Sequence, residues 1–371
     1  MLKDRLRSLR NWAKAASWRI GSHSGLAGGS NVPVNYVVEK ADWAIRWEGK
    51  HIRDVVNAIT KNSTVEVTDA AHRIIGPQVV HFGSQYMWLD WGPHLSKRNR
   101  FAASFFHGKP EDGPEVARHI DLFMKSVPAL TTVITAASLT EQRLLAWGVP
   151  RKKLVRIPIG VDTQAFRLPT QFEREQARAR FGFRGDQIVI GSFQKDGIGW
   201  GDGMEPKLIK GPDLFVEAVG QMARDLPIAV LLTGPARGYV KAELVRRRIP
   251  FVHTYVKNQP EIADCYHALD LYLVTSREEG GPKGIMEGMA SGVPVVSTSV
   301  GMASDLIRDG VTGGLVSGEM SSVIAAKAMQ ILHGGNLAAL RERAREAALV
   351  TDWNVVGREH WFKVYQPALQ S

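Results

Sequence analysis

The chain has 371 residues, 44% hydrophobic and 23% charged, with one cysteine and a formal net charge of +10. That length suits two domains of moderate size, and the composition is that of a soluble globular protein able to bury cores. A lone Cys265 excludes an internal disulfide and fits a reducing cytosol; no apolar run approaches the roughly 20 residues of a membrane span, and no signal-peptide core is evident.

Half of the charge excess sits in the first twenty residues, where Lys3, Arg5, Arg7, Arg10, Lys14 and Arg19 stand against Asp4. At helical spacing Leu2, Leu6, Leu9, Ala13, Ala16 and Ile20 share a narrow face. A basic helix with a thin apolar stripe suits an anionic membrane interface, or a terminal helix docked on its own protein. Nucleic acid is not expected, because no recognition motif accompanies the charge. Gly21–Pro33 is Gly/Ser-rich and reads as a linker.

Val34–Glu39 reads as a buried strand and Lys50–Ile59 as its crossover helix. Gln78–Ser84, Phe101–Lys109 and Thr131–Ser138 are apolar runs ending in small or polar residues, as parallel strands that open onto a site do. Thr140–Pro150 is a helix stopped by Gly148 and Pro150, and Lys153–Asp162 closes this half. After the charged helix Thr170–Gly182 come strands at Gln187–Phe193, Ile228–Gly234, Asp270–Ser276 and Val293–Thr298. Helices at Gly211–Asp225 and Pro282–Ser291 lie between them, and Asn354–Leu369 has the spacing of a packed terminal helix. Alternation in both halves predicts an α/β chain of two doubly wound domains, with a ligand cleft expected between them at the strand carboxyl ends.

The stretch Ser276–Ser297 concentrates the chemistry. Pro282 opens the crossover helix, Gly280 and Gly281 allow close backbone approach, and Lys283 lies in the first turn, where only an arriving anion favours a lysine. A helix start of this kind suits a phosphate. Glu279, just before the helix, can accept hydrogen bonds from sugar hydroxyls. Glu287, inside it and beside Gly288, can grip a vicinal diol such as a ribose.

Glu279 and Glu287, seven residues apart, reproduce the E-x7-E motif, and the chain here resembles the retaining GT-B glycosyltransferases of family GT4. Gly288–Val316 is similar to the remainder of that signature, with Asp305 in the place of a usual Glu. Ile157–Phe166, Lys207–Ala218 and Phe362–Leu369 resemble further family segments. The resemblance implies a GT-B fold: two Rossmann-like domains facing across a cleft. Segments are expected at 1–29 (basic helix and linker), 30–165 (acceptor side), 166–350 (nucleotide-sugar donor side) and 351–371 (terminal helix).

It further implies that Glu287 holds the ribose, Glu279 the transferred sugar and Lys210 the pyrophosphate, with Gly281, Pro282, Lys283 and Gly284 contributing to the donor site. Ser192 stands where the family has an arginine, and Lys195 is the candidate replacement. His107 matches a histidine that approaches the donor; His81 is a second candidate in a similar setting. The family's Gly-Gly loop after the first strand is missing, and Trp43, Arg46 and Trp47 are candidates for an acceptor platform or for core packing. The insert Asp196–Lys207 reads either as a closing segment or as a loose loop. No metal and no cofactor are expected beyond the UDP- or GDP-sugar donor. The partner is a glycan or lipid-linked acceptor, and the expected place is cytoplasmic, peripheral on the membrane through residues 1–20. The alternatives are another GT-B enzyme, such as a nucleotide-sugar epimerase, or a non-catalytic nucleotide-sugar-binding protein.

Overall fold

A computed structural model of the chain describes residues 2–23, 31–40, 44–256 and 259–371. It divides into two units, Met1–Ile159 with Trp353–Ser371, and Gly160–Asp352. The first runs α1 (Leu2–His23), β1 (Val34–Val37), α2 (Ala44–Thr60), β2 (Val65–Thr68), β3 (Val79–Phe82), α3 (Gln85–Trp91), β4 (Arg100–Ser104), α4 (Pro114–Ser126), β5 (Thr132–Thr135), α5 (Ser138–Ala146) and β6 (Leu154–Arg156). The second continues α6 (Gln171–Arg180), β7 (Ile188–Phe193), α7 (Pro212–Met222), β8 (Ile228–Thr233), α8 (Gly238–Arg246), β9 (Phe251–Thr254), α9 (Gln259–His267), β10 (Leu271–Val274), α10 (Lys283–Ala290), β11 (Val295–Thr298), α11 (Ala303–Leu306), β12 (Gly314–Val316), α12 (Ser321–Leu332) and α13 (Leu337–Ala348). The chain then returns to the first unit with α14 (Trp353–His360) and α15 (Gln366–Gln370).

Each unit carries a six-stranded parallel sheet, ordered β2-β1-β3-β4-β5-β6 and β12-β11-β10-β7-β8-β9. The central strands are apolar and buried along their whole length, as helices on both faces of a parallel sheet require. In the second sheet the order reverses between β10 and β7, the kind of switch point beyond which doubly wound proteins bind ligands.

The terminal segment, expected as a packed helix, packs on α2 of the first unit from Trp353 onward. Trp353 stacks on His51 with ring centroids 4.6 Å apart, and a Cβ added at Gly357 would lie 2.5 Å from the Val55 side chain. A π-turn at Trp361–Tyr365 then turns Tyr365 inward. There His81, a candidate for facing a ligand, is instead a core residue. It is fully buried, its Nδ1 is 2.8 Å from the Tyr365 hydroxyl, and its Nε2 is 2.9 Å from the Ser104 hydroxyl. Burial, then the neighbouring His360, hold its pKa well below the usual range.

α1 lies on the first unit with its polar face inward. Asn11 and Ala15 are buried, the Asn11 amide donates to the Asp90 carbonyl at 3.0 Å, and Trp18 meets His72 edge-on. Opposite that face, Leu6, Leu9, Trp12 and Ile20 are 58%, 62%, 56% and 73% exposed. A helix docked for its own unit's stability would bury the apolar stripe; here the stripe is turned out. Gly21–His23, expected in the linker, extend α1, and residues 24–30 lie outside the described residues. Among the described residues no helix is long and apolar enough to cross a membrane.

Candidate functional site

At the switch point of the second unit, between the ends of β7 and β10, a cavity of about 330 Å³ opens. Lys210, Glu279, Gly281, Pro282, Lys283, Gly284 and Glu287 all line it. Sequence reasoning missed Phe193, Gln194 and Tyr272, which form its base. Strand ends that converge at a reversal of sheet order are the signal that finds them.

Lys210 owes its place to the next residue. Gly211 has φ 61°, a left-handed turn, and a Cβ there would lie 1.8 Å from the Thr275 carbonyl oxygen. The Thr275 hydroxyl donates back to the Gly211 carbonyl at 2.7 Å, locking the turn onto the end of β10. A residue other than glycine would suffer both the left-handed strain and the clash. The Lys210 ammonium then donates to Glu279 Oε1 at 2.5 Å, and the Ser276 hydroxyl donates to the same oxygen at 2.9 Å. Glu279 is thereby fixed before any ligand arrives.

Glu287 is held differently. α10 starts after Pro282, and Gly284 lets it settle on Tyr272: a Cβ there would be 2.3 Å from that hydroxyl. One turn further on, Glu287 Oε2 accepts the Tyr266 hydroxyl at 3.0 Å. Burial pushes the Glu287 pKa up, opposed by the Lys283 charge and by the Tyr266 hydrogen bond. With Oε2 engaged by the tyrosine, Oε1 keeps accepting capacity for a hydroxyl in the cavity. The site thus offers two carboxylates, two ammonium groups and the open amides of a helix start within one small volume.

The insert Asp196–Lys207 is an ordered hairpin, not a loose loop. Lys207 N–H donates to the Asp196 carbonyl at 2.7 Å, and Ile198 N–H to the Glu205 carbonyl at 2.9 Å. Its far side is fastened to the start of α8, where Gly238 N–H donates to the Asp202 carbonyl. Arg237, which the sequence reading passed over, anchors its base. The guanidinium is fully buried, lies 2.9 Å from Asp196, and donates to the carbonyls of Ser192 and Thr233 and to the Ser192 hydroxyl. Burial pushes the Asp196 pKa up, and the Arg237 charge works against that. An arginine therefore does meet Ser192, from α8 rather than from β7, with its nitrogens turned to protein oxygens. Lys195 does not line the cavity; its ammonium sits 3.7 Å from the centroid of the Trp200 ring. Burial, then the Lys210 and Lys195 charges, pull the Lys207 pKa down, and Glu279 opposes them.

The remaining candidates belong to the first unit. His107 is exposed in the loop after β4. Arg46 is drawn to the β1 and β2 ends, donating to the Glu39 carbonyl at 2.6 Å and pairing with Asp69 at 3.2 Å. Trp47 is exposed under the Lys50 ammonium, 4.9 Å from its ring centroid. Trp43 lies outside the described residues.

This architecture is shared with solved structures. Anabaena HepE in complex with UDP and glucose superposes with a TM-score of 0.72 at 16% identity, covering 90% of this chain and 99% of that one. Sucrose-phosphate synthase from Thermosynechococcus elongatus gives 0.71 at 14% identity over 92% and 100%. The fold is that of the GT-B glycosyltransferases. Residues 202–334, which include Lys210, Glu279 and Glu287, match the family model described as Glycosyl transferases group 1. Among similar sequences, D-inositol 3-phosphate glycosyltransferase 1 of Catenulispora acidiphila is 29% identical over 64% of this chain and 57% of its own length. The lipopolysaccharide core biosynthesis mannosyltransferase LpsB of Rhizobium meliloti is 30% identical over 51% of each. The chain spans about half the length of the curated relatives it matches. Over residues 202–334 it is similar to the group 1 glycosyl transferases.

Proposed function

We propose that the protein is a retaining, metal-independent glycosyltransferase that moves a sugar from a nucleoside-diphosphate sugar to a hydroxyl of a glycan or lipid-linked acceptor in cell-envelope assembly. The observation that carries this reading is the convergence of Lys210, Glu279 and Glu287 on one cavity at the start of α10. Breaking the anomeric C–O bond builds negative charge on the leaving diphosphate. Lys210, Lys283 and the α10 amides are the fixed positive groups that lower that barrier. Glu287 grips the ribose diol and Glu279 the sugar hydroxyls. The retaining course rests on the resemblance of the E-x7-E pair, in which the donor's own phosphate oxygen serves as base. A uridine donor is the first choice, supported by the UDP in the Anabaena structure; GDP-mannose is the next, supported by the name of the Rhizobium relative.

Incubation with UDP- and GDP-sugars should release nucleoside diphosphate when acceptor is present, without loss on adding EDTA, and Glu287→Ala should abolish release. Donor consumed without acceptor would instead indicate an epimerase, and donor bound without turnover a binding protein. The outward apolar face of α1 supports peripheral attachment to an anionic bilayer on the cytoplasmic side. Leu6→Ser with Leu9→Ser should release the protein from phosphatidylglycerol vesicles; equal binding by the variant would refute that attachment.

A further inference from the structure

A second cavity, of about 560 Å³, lies beneath α1 in the first unit. Its floor is the carboxyl ends of β1 and β2, and Trp91 of α3 forms a wall. Arg7, Arg10 and Lys14 enter from α1, Lys40 from the turn after β1, and His72 and Arg73 from the turn after β2. Three carboxyl groups also line it, but two are already committed. Asp90 is 3.4 Å from Arg7, and Asp69 is 3.2 Å from Arg46. Against the remaining Glu39 stand Arg10, Lys14, Lys40 and Arg73, which form no ion pair among the described residues. Arg73 is positioned by Trp18, its guanidinium 5.0 Å from that ring centroid, and Trp18 in turn by His72. Burial, then the Arg73 and Lys14 charges, depress the His72 pKa, and Asp69 opposes them.

The four cations are solvent-exposed, and together they give the hollow a positive potential that favours an anion. Two arginine forks and two ammonium groups match the several oxygens and double charge of a phosphate ester better than a single carboxylate. From this arrangement we infer that the cavity beneath α1 binds a phosphate ester, the phosphate of a phosphorylated acceptor. Calling that ester the acceptor rests on the transferase reading; binding of the phosphate rests on the cavity alone. The exposed stripe of α1 makes a lipid phosphate the natural source, since the same helix would lie on the bilayer with the cavity under it.

The test uses the full chain with glycerol 3-phosphate by calorimetry, and with vesicles of phosphatidylcholine containing or lacking phosphatidic acid by sedimentation. The expected result is saturable binding that weakens at least tenfold in Arg10→Ala/Lys40→Ala, whose side chains are solvent-exposed, and is unchanged in Lys50→Ala. Binding of glycerol 3-phosphate supports the site with a free ester as sufficient ligand; binding confined to phosphatidic acid vesicles supports it with a lipid source. Binding should also raise the pKa of His72 in an NMR titration. Failure of both ligands to bind above phosphatidylcholine, or equal binding by the double variant, overturns the proposal. Nucleoside diphosphate release in the same preparation keeps the two readings apart. Release without phosphate binding sinks only this inference, and phosphate binding without release sinks only the transferase reading.

Discussion

The two cavities treat charge in opposite ways. In the second unit the groups at and beside the pocket are matched inside the protein: Lys210 to Glu279, Asp196 to Arg237, Glu287 to a tyrosine hydroxyl. Beneath α1 four cations that form no ion pair among the described residues line one hollow, with Glu39 the one carboxyl group there not committed to an arginine. The first arrangement is rigid before a ligand arrives, which suits stabilising charge that appears only during a reaction. The second is poised for an anion that is already charged.

If that contrast is right, removing a charge must have unequal consequences. The largest is expected for Asp196→Ala, which strands the fully buried Arg237 without its partner. Breaking a buried pair in this way costs about 3–5 kcal/mol. Denaturant unfolding should show a loss of that size, and the hairpin base should become protease-sensitive. An unchanged midpoint would mean that the Ser192 and Thr233 oxygens alone satisfy Arg237. Next in size is Lys210→Ala, expected to slow sugar transfer about 10²–10³-fold, the range for removing one preorganised charge-stabilising donor. A drop confined to KM, with kcat intact, would place Lys210 in ground-state binding only.

The pocket was legible in the sequence because its parts are local. Glu279, Pro282, Lys283 and Glu287 fall within nine residues of one strand-to-helix passage, and Lys210 is fixed by the glycine after it. Three of the four edge strands, β2, β9 and β12, went unread, since an edge strand is only partly buried and needs less of an apolar run. Arg237 was invisible because its partners, Ser192 and Asp196, lie more than forty positions away. His81 misled for a related reason. A histidine ending a strand looks ligand-facing until Tyr365, brought in by a distant turn, occupies its ring nitrogen. For α1 the wheel identified the apolar stripe, and only the docked structure shows that the polar face is the one turned inward.

Glu287 supplies a smaller effect with a sign that can be worked out in advance. Its folded pKa is raised by burial, so the folded protein holds the proton more tightly than the unfolded chain. Protonation therefore stabilises the free fold. That contribution is fully present below the ordinary carboxylate range and is lost as pH rises through the raised value. Donor binding runs the other way, because a diol needs the ionised carboxylate, at about 1.5–3 kcal/mol for a hydrogen bond to a charged group. Lowering the pH from neutrality should weaken the donor while firming the empty protein. Glu287→Gln should flatten both trends; thermal shift with and without nucleotide sugar across pH reads them together.

The smallest expected effect is the sharpest test of the contrast. Arg10→Ala deletes a charge from the cavity beneath α1, and an exposed substitution of this kind ordinarily changes stability by no more than about 0.5 kcal/mol. Here the direction matters more than the size. Relief of repulsion from Lys14, Lys40 and Arg73 should leave the variant at least as stable as the parent at low salt. Added salt screens the same repulsion, so the parent's melting point should climb toward the variant's as ionic strength rises. A variant that is less stable at low salt would show that Arg10 serves the fold, and the cavity's positive charge would then need no ligand to explain it.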